Sequence, residues 1–143
     1  MRPEAGEILD RSADQLLGQL APRLGESFAQ GTAALLALLM KFSAREYERG
    51  AEIRARENAE LRMLFARFSP ALSDTDLARR LDALARTTED SLAISALDAA
   101  NKVLRRALIE LHARVEEQGD LEAERAIWHV LRAMADRRAV ALF

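Results

Sequence analysis

The side chains of this 143-residue chain with an evident capacity for chemistry are two histidines, His112 and His129, and 23 carboxylates. Helical bundles that hold carboxylate-bridged metals use Glu-x-x-His, a spacing that projects both ligands from one helix face. Three residues before His112 stands Ile109, and three before His129 stands Ala126, so neither histidine fits. His112 and Glu116 are four apart and share a face, a pairing common by chance in a Glu-rich helix. The absence of cysteine removes thiolate metal ligands, disulfides and a thiol nucleophile. There is no Gly-x-Ser-x-Gly elbow and no glycine-rich phosphate loop; Gly25 and Gly31 flank a helix start without that spacing. No carboxylate is marked as paired in a cleft, and burial is what would raise its pKa. The residues thus nominate no catalytic, metal or cofactor-binding group, and no cofactor.

Polar residues at core-facing positions are more informative. Glu57 shares a helix face with Leu61, Leu64 and Phe68, while Arg45 and Glu46 follow directly on an apolar run. Antiparallel packing of the two segments would bring Glu57 or Glu60 to Arg45 and Glu46. Such a cluster is either the lining of a ligand or docking groove or, as expected of most such pairs, a rim salt bridge worth about 0 to 1 kcal/mol; an Arg45–Glu57 pair is the specific expectation. Further on, Leu97, Asn101, Leu104, Leu108, Leu111 and Val115 alternate steps of four and three. This is a short heptad seam with one asparagine, a residue that can set register and oligomer state. Asn101 therefore meets either its symmetry mate in a homodimer, the preferred reading, or a neighbouring helix within one chain. Trp128, Phe42, Phe65, Met40, Met63 and Met134 could line an acyl pocket, although Met and aromatic residues more often fill core gaps.

The elements that must position these groups are helices. Residues 33–42 read AALLALLMKF, with eight apolar residues in succession. A helix apolar on all sides is buried or spans a membrane, and this one falls short of the roughly 20 residues a span requires. The expectation is a central buried helix over 27–49, capped by Ser27 and stopped by Gly50 in a left-handed turn. Leu36→Asp should then unfold the domain and Arg45→Ala should not. Before it, a helix starting at Pro3 carries Leu9, Ala13, Leu16, Leu17 and Leu20 on one face until Pro22 and Gly25 break it. After it, a third helix covers about 51–68, ended by Pro70.

Turn-forming residues at 69–74 divide the single domain into halves, 1–69 and 73–143. Ser73 and Asp76 resemble a capping box. A fourth helix follows with Leu77, Leu81 and Leu84, then a fifth over about 89–118 stopped by Gly119. Asp120 caps a sixth, with Ile127, Leu131 and Met134 on one face and Trp128 beside it. The fold class is all-α, a bundle of about six helices around a central buried helix.

Half the residues are apolar but only 5% aromatic, and the 21 cations and 23 anions are scattered, for a net charge of −2. Without a basic run or interleaved aromatics, nucleic acid and anionic membrane are not expected partners. No secretory signal opens the chain, so the cytoplasm is the default compartment.

Arg2-Pro3 with Glu7-Ile8-Leu9-Asp10, then Ala44-Arg45-Glu46 and Gly50, then Ala59-Glu60-Leu61 with Leu64, form a pattern over about the first 70 residues. It resembles a family of small bacterial helical domains encoded beside aminoglycoside-phosphotransferase-like kinases and acyl-CoA dehydrogenases. The tail, Val140-Ala141-Leu142-Phe143, departs from the polar-aromatic ending of that pattern. The resemblance implies a non-catalytic accessory protein docking on such a kinase or acyl-CoA enzyme. The alternative is a helical bundle that binds an acyl or acyl-CoA group.

Overall fold

The computed structural model describes residues 4–139; the Pro3 helix start and the Val140–Phe143 tail lie outside them. The described residues are all-α, with no strand. In chain order the helices are α1 (Ala5–Gln15), α2 (Ser27–Phe68), α3 (Thr75–Ala85), α4 (Ile94–Gln118) and α5 (Leu121–Arg138). Widened and tightened turns at Leu16–Leu20 and Ala21–Arg23 end the first helical segment where Pro22 and Gly25 predict a break.

Five helices replace the expected six because α2 runs through Gly50 for 42 residues. Gly50 does not take the left-handed conformation; Gly119 is the one residue with positive φ among those described. A mid-helix glycine costs only about 1 kcal/mol, and Ala51-Glu52-Ile53-Arg54 beyond it offers neither a proline nor a capping side chain to begin a new helix.

The chain forms two compact units, Met1–Gly50 and Ala51–Phe143, which meet within α2. In the N-terminal unit, α1 packs against residues 27–50 of α2 through small side chains. Gly6, Ala13, Ala33, Ala37 and Ala44 are buried. A Cβ added to Gly6 would lie 2.8 Å from the Glu48 carboxylate, which is how closely the two helices approach. Lys41 reaches across to Asp10 at 2.9 Å and Asp14 at 2.8 Å. Those two hydrogen-bonded carboxylates, Asp14 foremost, raise the Lys41 pKa above its ordinary value.

An alanine seam leaves the leucines outside. Leu35, Leu36 and Leu39 are about half exposed and Phe28 is 85% exposed. The expected enclosure of residues 33–42 is therefore not found within this chain: only Ala33 and Ala37 of the eight-residue apolar run are buried. By length and composition alone, α2 is apolar enough to cross a membrane.

The large buried side chains belong to the C-terminal unit. Leu61, Phe65 and Phe68 of α2 pack with Leu77 and Leu81 of α3, Leu104, Leu108 and Leu111 of α4, and Ile127 and Met134 of α5. Its helix ends follow sequence chemistry closely. Gly119 adopts φ 66°, and the Asp120 N–H donates to Val115 O at 3.2 Å, closing a Schellman turn. Asp120 accepts from the N–H groups of Glu122 and Ala123. Asp74, not Ser73, caps α3 by accepting from Asp76 and Leu77. The Leu77 N–H bond, helped by Arg114, lowers the Asp74 pKa against a desolvation effect of opposite sign.

Helix α4 begins at Ile94 rather than Glu89. Ser91 Oγ accepts from Ala93 N–H, a local turn that competes with helix, and Glu89 is drawn instead into the network described next.

Candidate functional site: a buried polar network

Helical spacing places Glu57 four residues before Leu61 and Asn58 seven before Phe65, so both side chains point where the core lies. Both are fully buried, and Asn101 on α4 is 5% exposed. Asn101 Nδ2 donates to Asn58 Oδ1 at 2.9 Å and to Glu57 Oε2 at 3.3 Å. Arg138, in the last turn of α5, clamps the Glu57 carboxylate through both oxygens at 2.8 and 2.7 Å. A cation there also complements the negative end of the α5 dipole. Beside it Arg137 forks onto Glu60, with one bond at 2.9 Å.

The network extends in the other direction through Asn58, whose Nδ2 donates to Glu89 Oε1 at 2.9 Å and Leu97 O at 3.2 Å. Arg62 donates to Glu89 at 2.6 Å and to Thr87 Oγ1 at 2.9 Å, pinning the loop between α3 and α4. Burial pushes the Glu89 carboxyl up, but the hydrogen bonds from Arg62 and Asn58 outweigh it and the pKa is lowered from 4.5. Arg54 and Asp98 pair at 2.5 Å between α2 and α4.

Of the four residues singled out from sequence, the structure joins Glu57 and Asn101 in direct contact. Arg45 and Glu46 are exposed residues of the N-terminal unit. The expectation of an Arg45–Glu57 pair assumes a helix break at Gly50, and α2 is continuous there. Arg138 takes the place expected of Arg45. Asn58, Arg62, Glu89 and Arg138 were not anticipated. For Asn58 a signal existed in its seven-residue offset from Phe65, whereas Arg138 and Glu89 come from distant segments that no local spacing connects.

The heptad seam is also resolved within one chain. Leu97, Asn101, Leu104, Leu108, Leu111 and Val115 are each 5% exposed or less. The seam is spent on packing with α2, α3 and α5, and Asn101 meets Glu57 and Asn58 rather than a symmetry mate.

Chemically this arrangement ties α2, α4 and α5 together. A general base needs hydrogen-bond reach to a substrate proton, and both oxygens of the fully buried Glu57 carboxylate already accept from Arg138, with Asn101 also donating to Oε2. The Arg137 Nε finds no hydrogen-bond partner, but Glu57, Asn58 and Asn101 are all hydrogen-bonded, and such buried networks rigidify and specify a core. His112 lies edge-on to Trp128 with ring centroids 5.6 Å apart, its Nε2 3.5 Å from Glu116. Among the described residues no three His, Asp or Glu side chains are grouped to hold a metal ion.

The candidate acyl-pocket residues are dispersed. Phe65 and Met134 are core, Met63 and Trp128 are more than half exposed, and Met40 and Phe42 belong to the N-terminal unit. A different groove of about 380 Å³ lies between α3 and α4, walled by Leu77, Leu81, Leu84, Val103 and Ala107. The Arg80–Glu110 ion pair, 2.5 Å, stands at its edge.

Compared with known proteins, the chain matches no family model, no curated protein and no solved structure.

Proposed function

We propose that this chain is a non-catalytic, cytoplasmic interaction protein, acting by surface complementarity. The single observation behind this reading is the uncovered apolar face of α2, with Phe28, Leu35, Leu36 and Leu39 in solvent. A monomer rarely leaves so contiguous an apolar surface unused. The hydrogen-bonded network around Glu57 supports the same view, since it commits the most unusual polar groups to architecture. A bundle closed around residues 33–42 is then a property of an assembly and not of one chain. The partner class that the resemblance implies is an aminoglycoside-phosphotransferase-like kinase or an acyl-CoA dehydrogenase.

The test is co-expression with such a kinase and such a dehydrogenase, followed by affinity capture. Co-purification of either, abolished by Leu35→Glu with Leu39→Glu, is the expected result; capture of neither removes the docking reading. The groove between α3 and α4 favours a second reading, an acyl-binding bundle, because its volume falls within the usual ligand range and its walls are apolar. Saturable binding of a fatty acyl chain, weakened by Leu84→Glu, would establish that alternative.

A further inference from the structure

The face of α2 that points away from α1 has a symmetry of its own. Phe28, Leu35 and Phe42 are spaced by seven and seven, and Gly31, Leu35 and Leu39 by four and four. Both sets are centred on Leu35. The alanines that pack on α1, Ala33 and Ala37, lie about half a turn away from this stripe. We infer that the stripe is a two-fold interface: a second copy of this chain lies antiparallel on it, with the axis at Leu35. The inference rests on the interaction reading above and names the occupant of its apolar face.

A two-fold interface must be self-complementary, each residue of one copy meeting its counterpart across the axis. In this register Leu35 meets Leu35, Phe28 lies over Phe42, and Leu39 points at Gly31. Gly31 otherwise has no purpose. A glycine inside a helix costs about 1 kcal/mol relative to alanine, and within the chain nothing lies within 4 Å of where its Cβ would stand. A notch for Leu39 of the second copy accounts for it.

The exposed area agrees. Phe28, Leu35, Leu36 and Leu39 alone expose on the order of 500 Å², at the upper range for a monomer's largest patch. With their partly buried neighbours Leu38 and Phe42 they offer about 600 Å², above the roughly 500 Å² per partner that a specific interface needs. Two hairpins joined on this face make a four-helix arrangement, which gives α1 and the start of α2 the core that an alanine seam does not.

A membrane is the competing occupant. The uncharged stretch, residues 27–40, is about 21 Å long against a hydrocarbon core of about 30 Å. Directly after it Lys41 is paired with Asp10 and Asp14, and α1 lines the same stretch with charge. These groups favour a protein surface.

The chain lacks cysteine, so single-cysteine variants report the register directly. Leu35→Cys should form a disulfide-linked dimer on mild oxidation. Phe28→Cys should not, because two copies of that residue would stand about 21 Å apart along the axis. Sedimentation equilibrium of the unmodified chain should show a dimer at micromolar concentration. Leu39→Glu and Gly31→Leu should each raise its dissociation constant at least about tenfold with circular dichroism unchanged. A glycine of merely local role would make Gly31→Leu neutral or stabilising.

A monomer in sedimentation overturns the inference, as does a dimer that cross-links through Phe28→Cys but not Leu35→Cys. Flotation of a monomeric chain with phosphatidylglycerol vesicles overturns it in favour of lipid. If the chain is monomeric yet Leu39→Glu abolishes capture of an enzyme partner, the interaction reading survives and only the second copy is lost.

Discussion

The two units of this protein spend their apolar residues in opposite ways. In the C-terminal unit Leu61, Phe65, Leu81, Leu97, Leu104 and Leu111 are essentially inaccessible. In the N-terminal unit the buried residues are alanine and glycine, while Leu35, Leu36, Leu39 and Phe28 face outward. The longest uninterrupted apolar run, residues 33–40, stands in the unit that buries no large side chain among its described residues. A core requires several elements around it, and a pair of helices closed through alanines encloses no space for a leucine. The densest apolar run is thus a surface, and the moderately apolar helices make the core.

The sharpest test of this contrast sets Phe65→Ala against Leu36→Asp. Truncating a fully buried phenylalanine costs about 3–5 kcal/mol through lost transfer energy and the cavity left behind. Urea unfolding followed by circular dichroism should show that loss. Leu36→Asp, at a position 51% exposed, should leave the unfolding midpoint of the Phe65 core in place, opposite to the expectation from the apolar run alone. A collapse of the Phe65 core in Leu36→Asp would mean that the run is enclosed after all.

Next in size is the clamp on Glu57. Removing one partner of a buried pair is costly because of the charge it strands, so the two halves should be unequal. Arg138→Ala leaves a fully buried carboxylate with only Asn101, and should cost about 3 kcal/mol. Glu57→Leu removes a carboxylate from an arginine whose side chain is 42% exposed and can turn to water, and should cost less. Equal losses in urea unfolding would show that the network is held by something other than the burial of Glu57.

Sequence reasoning reached these features unevenly. The ends of α4 and α5 follow from Gly119 and Asp120 because a left-handed glycine and an aspartate cap act within one turn. Glu57 and Asn101 stood out because each interrupts an apolar periodicity. Their mutual contact was hidden, since Asn101 matched the seam of a coiled coil equally well and only tertiary packing decides between the two. Arg138 was beyond reach for the same reason, 81 residues from Glu57. The continuity of α2 was misread at Gly50 because glycine ends helices far more often than it passes through them. Exposure of residues 33–42 follows from α1 presenting alanine, a choice that periodicity in α2 does not reveal.

The third test uses pH. The Glu89 carboxyl is held below its ordinary 4.5, so the unfolded chain binds its proton more readily than the folded one. Its contribution is fully present above about pH 4.5 and is lost as pH falls through the lower folded value. The C-terminal unit should lose urea stability over that interval, and Glu89→Gln should flatten the profile there while lowering stability at neutral pH. A profile identical in the two proteins would detach Glu89 from Arg62 and Asn58.

A smaller effect is expected at Asp120. Asp120→Ala removes the acceptor for the N–H groups of Glu122 and Ala123, and loss of an N-cap costs about 1 kcal/mol. Thermal unfolding should register it as a drop of a few degrees for a chain of this size. An unchanged midpoint would show that the start of α5 frays independently of the core that Ile127 and Met134 build.

The smallest effect on stability is expected at Arg45, where the two units differ in kind. Arg45 is an exposed residue of α2, and surface substitutions of this sort usually change stability by no more than about 0.5 kcal/mol. Arg45→Ala should therefore unfold with its parent in both urea and heat. Its position beside the apolar stripe gives it a second readout, since a charge at the rim of an interface acts mainly on the rate and salt dependence of association. Arg45→Ala should alter the salt dependence of assembly while leaving the folded chain intact. A loss of stability comparable to that of Arg138→Ala would place Arg45 among the structural charges and erase the distinction between a unit built to hold itself and a unit built to be covered.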